Sequence, residues 1–506
     1  MYPPANRLII TIGILVGMFL AALEATVVGT AMPTVVASLG GLEIYSWVFS
    51  AYLLASTVTV PAWGKLSDLY GRRPFYLLAI SLFLLGSILS GQAQSMVQLI
   101  VFRTIQGLGA GGLLPLAMTI IAELYTPVER TRVQGYFSGV WGLASIAGPL
   151  LGGVITDQLS WRWVFYLNIP FGLVAALIIG TQLVEDRSRL HRRKIDVSGI
   201  VLFTVSITLF MLLLVRSSDS FDLTTPSSLL LLAGFCLTLV LFLAVERKAQ
   251  EPLIPVELFR NKVFTASSIN GFLSGMAMFG VISFIPLFVQ GVLGTGATEA
   301  GSVLTPLLMG WVVFSIVGAR LLLRVRFRTM MFVGMDLMVL GFGLLDLMDS
   351  DTTRITVLRN VGLIGSGMGL VMITSLIAVQ SSVSREQLGI ATSTAQFFRS
   401  IGGAIGVAIM GTVMAQRMNA QMVQMTSNAG GGVGVGELQQ LVQNPAAFLQ
   451  PAARQLLAPE MVESFQSMLA NALHTTFVIG TVVSVLALLS LAIMPPVQLK
   501  QTGTPE

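Results

Sequence analysis

Long stretches of this chain carry no charged side chain at all. Ile44 to Gly64, Pro74 to Phe102, Val133 to Thr156, Trp163 to Val184 and Thr475 to Leu499 hold no Asp, Glu, Lys or Arg, and each exceeds the ~20 residues a helix needs to cross hydrocarbon. Only 10% of all residues are charged and 54% are apolar, whereas soluble domains are roughly a quarter charged. So few charges cannot cover a water-facing surface. The chain therefore reads as an all-α, multi-pass membrane protein.

Counting along the chain predicts spans near 8–30, 45–64, 74–93, 96–121, 133–155, 163–184, 197–216, 227–245, 264–290, 299–319, 329–347, 355–379, 391–414 and 472–494. Fourteen spans put both termini on one side. Of the 29 Lys and Arg, Arg103 and Arg399 lie deep inside spans, six (Arg162, Arg216, Arg354, Arg359, Arg417 and Arg454) lie in the odd-numbered gaps or within a few residues of them, and the other 21 lie in the even-numbered gaps and termini. Positive charge concentrates on the cytoplasmic side, so both termini are expected there, in a cell (cytoplasmic or inner) membrane. The net charge of +5 thus follows topology and does not indicate a nucleic-acid partner. The first span is too long and too weakly basic at its flank for a cleaved signal peptide. Cys236, alone in the chain, cannot form an internal disulfide.

Two polar segments, Glu185 to Asp196 and Glu246 to Lys262, divide the chain into six spans, an inserted pair and six more. The expected units are residues 1–186, 187–262 and 263–506, the last with an extracytoplasmic loop at 416–471 in which Leu438, Leu441, Val442, Phe448, Leu456 and Leu457 suggest surface helices. A parallel repeat supports the division: at an offset of 254, Gly135, Gly148 and Gly152 fall on Gly389, Gly402 and Gly406. These glycines lie in span 5 and in or just before span 13, the fifth helix of each half.

Between spans 2 and 3 lies GKLSDLYGRRP. Gly64 and Gly71 allow tight bends, and Asp68 sits among Lys65, Arg72 and Arg73. A carboxylate placed there can accept hydrogen bonds from a neighbouring helix N-terminus, latching one arrangement of helices and releasing another. This loop resembles the signature of the major facilitator superfamily through Gly64, Leu66, Ser67, Asp68, Gly71, Arg72 and Arg73. More narrowly, LEATVVGTAMP (Leu23 to Pro33) resembles the first-helix signature of fourteen-helix drug:proton antiporters, with Glu24 in place of the usual Asp, Gly29 of Asn and Met32 of Leu. Span 4 reads RTIQGLGAGGLLP, where Arg103, Gln106, Gly107 and Gly109 match the family's basic motif. Span 5 reads ASIAGPLLGG, where Gly148, Pro149, Gly152 and Gly153 match the antiporter motif. WRWVFYLNIPFG, Trp161 to Gly172, is also typical of this type. The resemblance implies a 14-helix fold arranged 6 + 2 + 6, export by alternating access, and no cofactor beyond a proton gradient.

Glu24 is the only charge between Leu8 and Leu42. A lone carboxylate in hydrocarbon must face a cavity, be paired or be protonated. At ~1.5 Å per residue, Glu24 lies roughly 9 Å inside the outer end of span 1 and Arg103 roughly 11 Å inside the outer end of span 4, so the two can share a level and form a proton switch. Asp336 in span 11 is a further candidate, either titrating itself or pairing with Arg399. Tyr52, Gln106, Trp141, Asn270, Gln380 and Phe397 are candidate cavity residues. The expected activity is proton-coupled export of lipophilic, often cationic, compounds by a monomer. The alternative is export of one endogenous amphiphile, a lipid or secreted metabolite. An enzyme is disfavoured because no HExxH, paired deep acids or Ser/His/Asp set is present, no metal cluster is evident, and the two histidines, His191 and His474, lie at loops or helix ends. No phosphate-cradling GxxxxGK[ST] occurs either.

Overall fold

A computed structural model describes residues 4–39, 47–184, 197–217, 225–249, 252–295, 302–349, 352–428 and 459–497. The helices are α1 (Pro4–Leu39), α2 (Trp47–Tyr70), α3 (Arg72–Gly91), α4 (Met96–Leu124), α5 (Pro127–Gln158), α6 (Arg162–Tyr166), α7 (Asn168–Gln182), α8 (Val197–Ser217), α9 (Pro226–Glu246), α10 (Lys262–Gly291), α11 (Leu304–Leu321), α12 (Phe327–Leu345), α13 (Arg354–Ser382), α14 (Leu388–Asn428) and α15 (Pro459–Ser490). No strand occurs among the described residues. Apolar side chains around the full circumference and internally satisfied backbones make helices the stable state in lipid.

Eleven helices among the described residues are long and apolar enough to cross a membrane. The expected spans at 45–64, 133–155 and 197–216 also fall on helices, α2, α5 and α8, but these are not among the eleven. α2 runs on into Lys65 and Asp68, and the apolar stretch of α8 is short, Ser198–Leu213. The sixth expected span is one apolar run, Arg162–Gln182, divided at Leu167 into α6 and α7. Pro170 explains the division, because it has no N–H to give to the carbonyl four residues back.

The expected loop at 416–471 is shorter than composition suggests. α14 continues to Asn428 and α15 begins at Pro459. At 41 residues, α14 is about 60 Å long, twice the hydrocarbon thickness. Its distal turns read as loop in the sequence because polar residues there end the apolar run without ending the helix. The expected surface helices between Leu438 and Leu457 lie outside the described residues.

Helix pairing repeats between the halves. α1 packs on α5 and α7, α2 and α3 on α4, and α3 on α7; α10 packs on α14 and α15, α11 and α12 on α13, and α12 on α15. Replacing each helix of the first set by its counterpart reproduces the second. The contacts joining the halves, α2 with α14 and α5 with α11, exchange under the same replacement. Each half has its own apolar core, the second rich in methionine (Met330, Met331, Met335 and Met338). α8 packs on α9, and also on α2 and α14, so the inserted pair lies over one seam between the halves.

Candidate functional site

α4 positions the first cluster. Its glycines remove side chains where neighbours cross: a Cβ on Gly107 would lie 2.5 Å from the Tyr52 carbonyl oxygen, and one on Gly109 2.5 Å from that of Ala79. α2 and α3 therefore approach α4 closely, and Arg103, one turn before Gly107, is enclosed by α1, α2 and α6.

Arg103 forms an ion pair with Glu24, with the two side chains only 2% and 1% exposed. Arg103 Nη1 also donates to Gln106 Oε1 at 2.7 Å, and Nε to the Val48 carbonyl at 3.4 Å. The Tyr52 ring stacks on the guanidinium, 4.2 Å from its centroid. The other carboxylate oxygen of Glu24 accepts from Asn168 Nδ2 at 2.5 Å, the same nitrogen donates to Ser87 Oγ at 2.9 Å, and Ser87 Oγ donates to the Phe165 carbonyl at 2.8 Å. Both oxygens of the buried acid are thus engaged by donors from two different helices. A buried charge pair is tolerable only with such satisfaction, since desolvation otherwise outweighs attraction. Gln106 Nε2 is buried without a hydrogen-bond partner among the described residues.

The second cluster lies at the end of the bundle formed by the α2–α3 turn. Gly71 adopts φ 107°, a backbone conformation that favours glycine, and this turns the chain directly into α3. Asp68 Oδ1 accepts from the Gly389 amide at 3.1 Å and Oδ2 from the Ile390 amide at 2.8 Å, so a carboxylate of one half caps the first turn of α14 in the other. Arg72 pairs with Asp68, donates Nε to Glu123 at 3.0 Å and Nη1 to Ser67 Oγ at 2.6 Å. Arg73 donates to the Gly180 carbonyl. Gly64 lies against Ser393 with no room for a side chain. Nearby, burial, with the like charge of Arg385 in the other half adding to it, pulls the Arg130 guanidinium down to about 10 against a partial opposing effect of Glu123.

The remaining candidates separate. Trp141 stacks on Trp311 across α5 and α11 at 6.4 Å, and Gln380 contacts the Met118 carbonyl of the other half at 3.4 Å; both lie at seams between halves. Asn270 does not line a seam: it is buried and donates to the Ala487 carbonyl at 2.9 Å, tying α10 to α15. Phe397 does not face a cavity either, because it packs on Phe203 of α8 at 5.2 Å. Asp336 is exposed on the stripe of α12 that includes Val333 and Leu340, makes no ion pair with Arg399, and stands apart from Glu24. Gly148 and Gly152 are buried in α5, while the surroundings of Pro149 and Gly153 lie outside the described residues. No group of three or more potential metal ligands occurs among the described residues.

A family model described as Major Facilitator Superfamily matches residues 14–407. The chain belongs to the major facilitator superfamily. It is 37% identical over 510 residues to the multidrug transporter protein MdtP of Bacillus subtilis (strain 168), covering 97% of this chain and 94% of that protein. It is 35% identical over 499 residues to multidrug resistance protein 3 of the same organism, covering 99% and 97%. A crystal structure of the human organic anion transporter MFSD10 (TETRAN) is similar in fold, with a TM-score of 0.61, 14% identity, and coverage of 96% of this chain and 100% of that one. This facilitator is therefore a transporter-family membrane protein with named multidrug transporters among its relatives.

Two residues of the Glu24 cluster escape a search for charge. Asn168 and Ser87 are neutral, and each lies in a segment that reads as ordinary apolar span. The available signal is the interruption in WRWVFYLNIPFG, where an amide begins a new helix two residues before a proline.

Proposed function

We propose that this facilitator is a proton-coupled antiporter of the fourteen-helix type, arranged as 6 + 2 + 6 spans in the cytoplasmic membrane with both termini inside, and that it exports lipophilic compounds by alternating access. The observation that carries the reading is the buried Glu24–Arg103 pair, sealed by Asn168 and Tyr52. In the proposed cycle Arg103 and a proton take turns as the partner of Glu24, the proton arriving when the pair separates. Rocking of the two repeated halves about the α2–α14 and α5–α11 contacts would expose the acid first to one side and then to the other. On this reading the end of the bundle where Asp68 caps α14 is the cytoplasmic one, and that contact closes it. A cationic substrate can gain attraction from Glu24 only when Arg103 has released it.

The role of Arg103 is to compete with the proton for Glu24, and that of Gln106 is to hold Arg103 in place once the pair opens. Membrane potential adds about 2.3 kcal/mol per charge per 100 mV. The deciding test is transport in sealed vesicles with an imposed pH gradient, comparing the parent with Glu24→Gln. The variant should fold and bind substrate, since Gln keeps the shape of the side chain and its amide oxygen still accepts from one of the two donors, Arg103 or Asn168, but should lose gradient-driven accumulation. Equal accumulation by both proteins rejects the coupling role.

A further inference from the structure

Arg103 and Arg399 lie deep inside spans, and they differ in their company. Arg103 has a carboxylate. Arg399 has none: it donates to Gln396 Oε1, and its other N–H groups have no acceptor among the described residues. A guanidinium carries five donors and a charge that it does not give up. Holding that charge within a membrane bundle beside a neutral amide alone is costly, and its expected partner, Asp336, is on the exposed face of α12.

The surroundings place the charged head. α14 meets α2 along Gly389, Ser393 and Phe397, where Gly389 touches Asp68, Ser393 lies against Gly64 and Phe397 shares an apolar cluster with Val58 and Val60. It meets α10 along Gly402 and Gly406, which touch Phe272 and Met276. On a 3.6-residue helix, Gln396 falls in the sector between these two lines of contact, and Arg399 falls at the α10 edge of that sector. α8 lies on Phe397, outside the sector. The stem of Arg399 is packed: a Cβ on Gly275 would be 3.2 Å from Arg399 Cγ and 2.4 Å from its carbonyl oxygen. The head is joined to Gln396, so it leans toward the sector between α2 and α10, and both residues are only partly buried. One turn along α14, Gly403 lies against the ring of Phe279, which is 38% exposed. A cationic fork beside an uncovered aromatic wall fits an amphiphile whose head is an oxyanion.

We propose that Arg399 and Gln396 form a substrate subsite for the carboxylate of a lipophilic anion, with Phe279 carrying the apolar part. The subsite rests on the transporter reading above but not on proton coupling. Glu24, with both oxygens engaged, supplies no competing attraction for cations in this conformation.

The test is equilibrium binding of dansylaminoundecanoic acid to the purified full chain at neutral pH, against its primary-amide and terminal-amine counterparts. The parent should bind the carboxylate about tenfold more tightly than the amide, the size of a hydrogen bond to a charged group. Arg399→Gln should abolish this preference and leave amide affinity unchanged; Arg399→Lys should keep part of it. Absence of the preference in the parent, its survival in Arg399→Gln, or an equal loss for carboxylate and amide overturns the proposal, the last by showing a structural role. Glu24→Gln should retain the preference, so failure of proton coupling and failure of the subsite are read separately.

Discussion

A carboxylate survives inside hydrocarbon only in company, and the company of Glu24 is unevenly visible. Arg103 is a charge at the matching depth of an antiparallel helix, so rise per residue alone brings the two to one level. Asn168 is neutral, and its position depends on where α6 gives way to α7. Its contribution can nevertheless be stated: a hydrogen bond to a charged group is worth about 1.5–3 kcal/mol. Asn168→Ala removes the donor to Glu24 and leaves Ser87 Oγ without its amide partner. The variant should unfold at a lower temperature in detergent, and transport should fall about tenfold; an unchanged melting curve and rate would show that the Asn168 bonds do not matter. Asp336 illustrates the opposite case, a charge that announces itself in the sequence but lies on an exposed face with no ion-pair partner among the described residues.

At the scale of elements, the turn between α2 and α3 and the start of α14 form one device. The first amides of any helix lack intrahelical acceptors, and Asp68 supplies two to α14. This is a contact between halves, so it exists only while they are closed at that end. A Cβ on Gly389 would fall 2.5 Å from Asp68 Oδ1 and 2.6 Å from Arg72 Nη1. Gly389→Ala should therefore push the latch open, and a cysteine placed at Ser393, with Cys236→Ser as background, should react with maleimide several-fold faster in that variant. Equal labelling rates would mean that the contact does not hold the end closed. Asp68→Asn keeps the shape but weakens the acceptor, and should slow turnover with little change in substrate affinity; unchanged turnover rejects the latch.

The molecule as a whole is two copies of one helix arrangement facing each other, with α8 and α9 laid over one of the two seams. The paired contacts α2–α14 and α5–α11 make those seams the places where rocking must be accommodated. A Cβ on Gly135 would lie 3.3 Å from Ile316 Cγ1, so the two positions face each other directly across this seam. Gly135→Cys with Ile316→Cys, in a Cys236→Ser background, should cross-link under mild oxidation, stop transport, and recover it on reduction. Continued transport by the cross-linked form would exclude motion at this seam. The inserted pair should be dispensable for the Glu24 cluster itself, because no residue of α8 or α9 contributes a hydrogen bond to it among those described.

Much of the architecture was legible before any packing was considered. The transfer of apolar side chains is a property summed along a segment, so the apolar helices and their order can be read from the chain. The Asp68 loop was legible because a lone acid between glycines and arginines has few other uses. Partners across helices were not, because they depend on which faces meet. Asn270 and Phe397 looked like cavity residues yet pack on α15 and α8, the loop after residue 416 is partly helix, and Arg399 lost its presumed acid. A side chain's partner is decided by helix rotation and close approach at glycines, quantities that arise only when the helices pack, and these made Asn168 the second hand on Glu24.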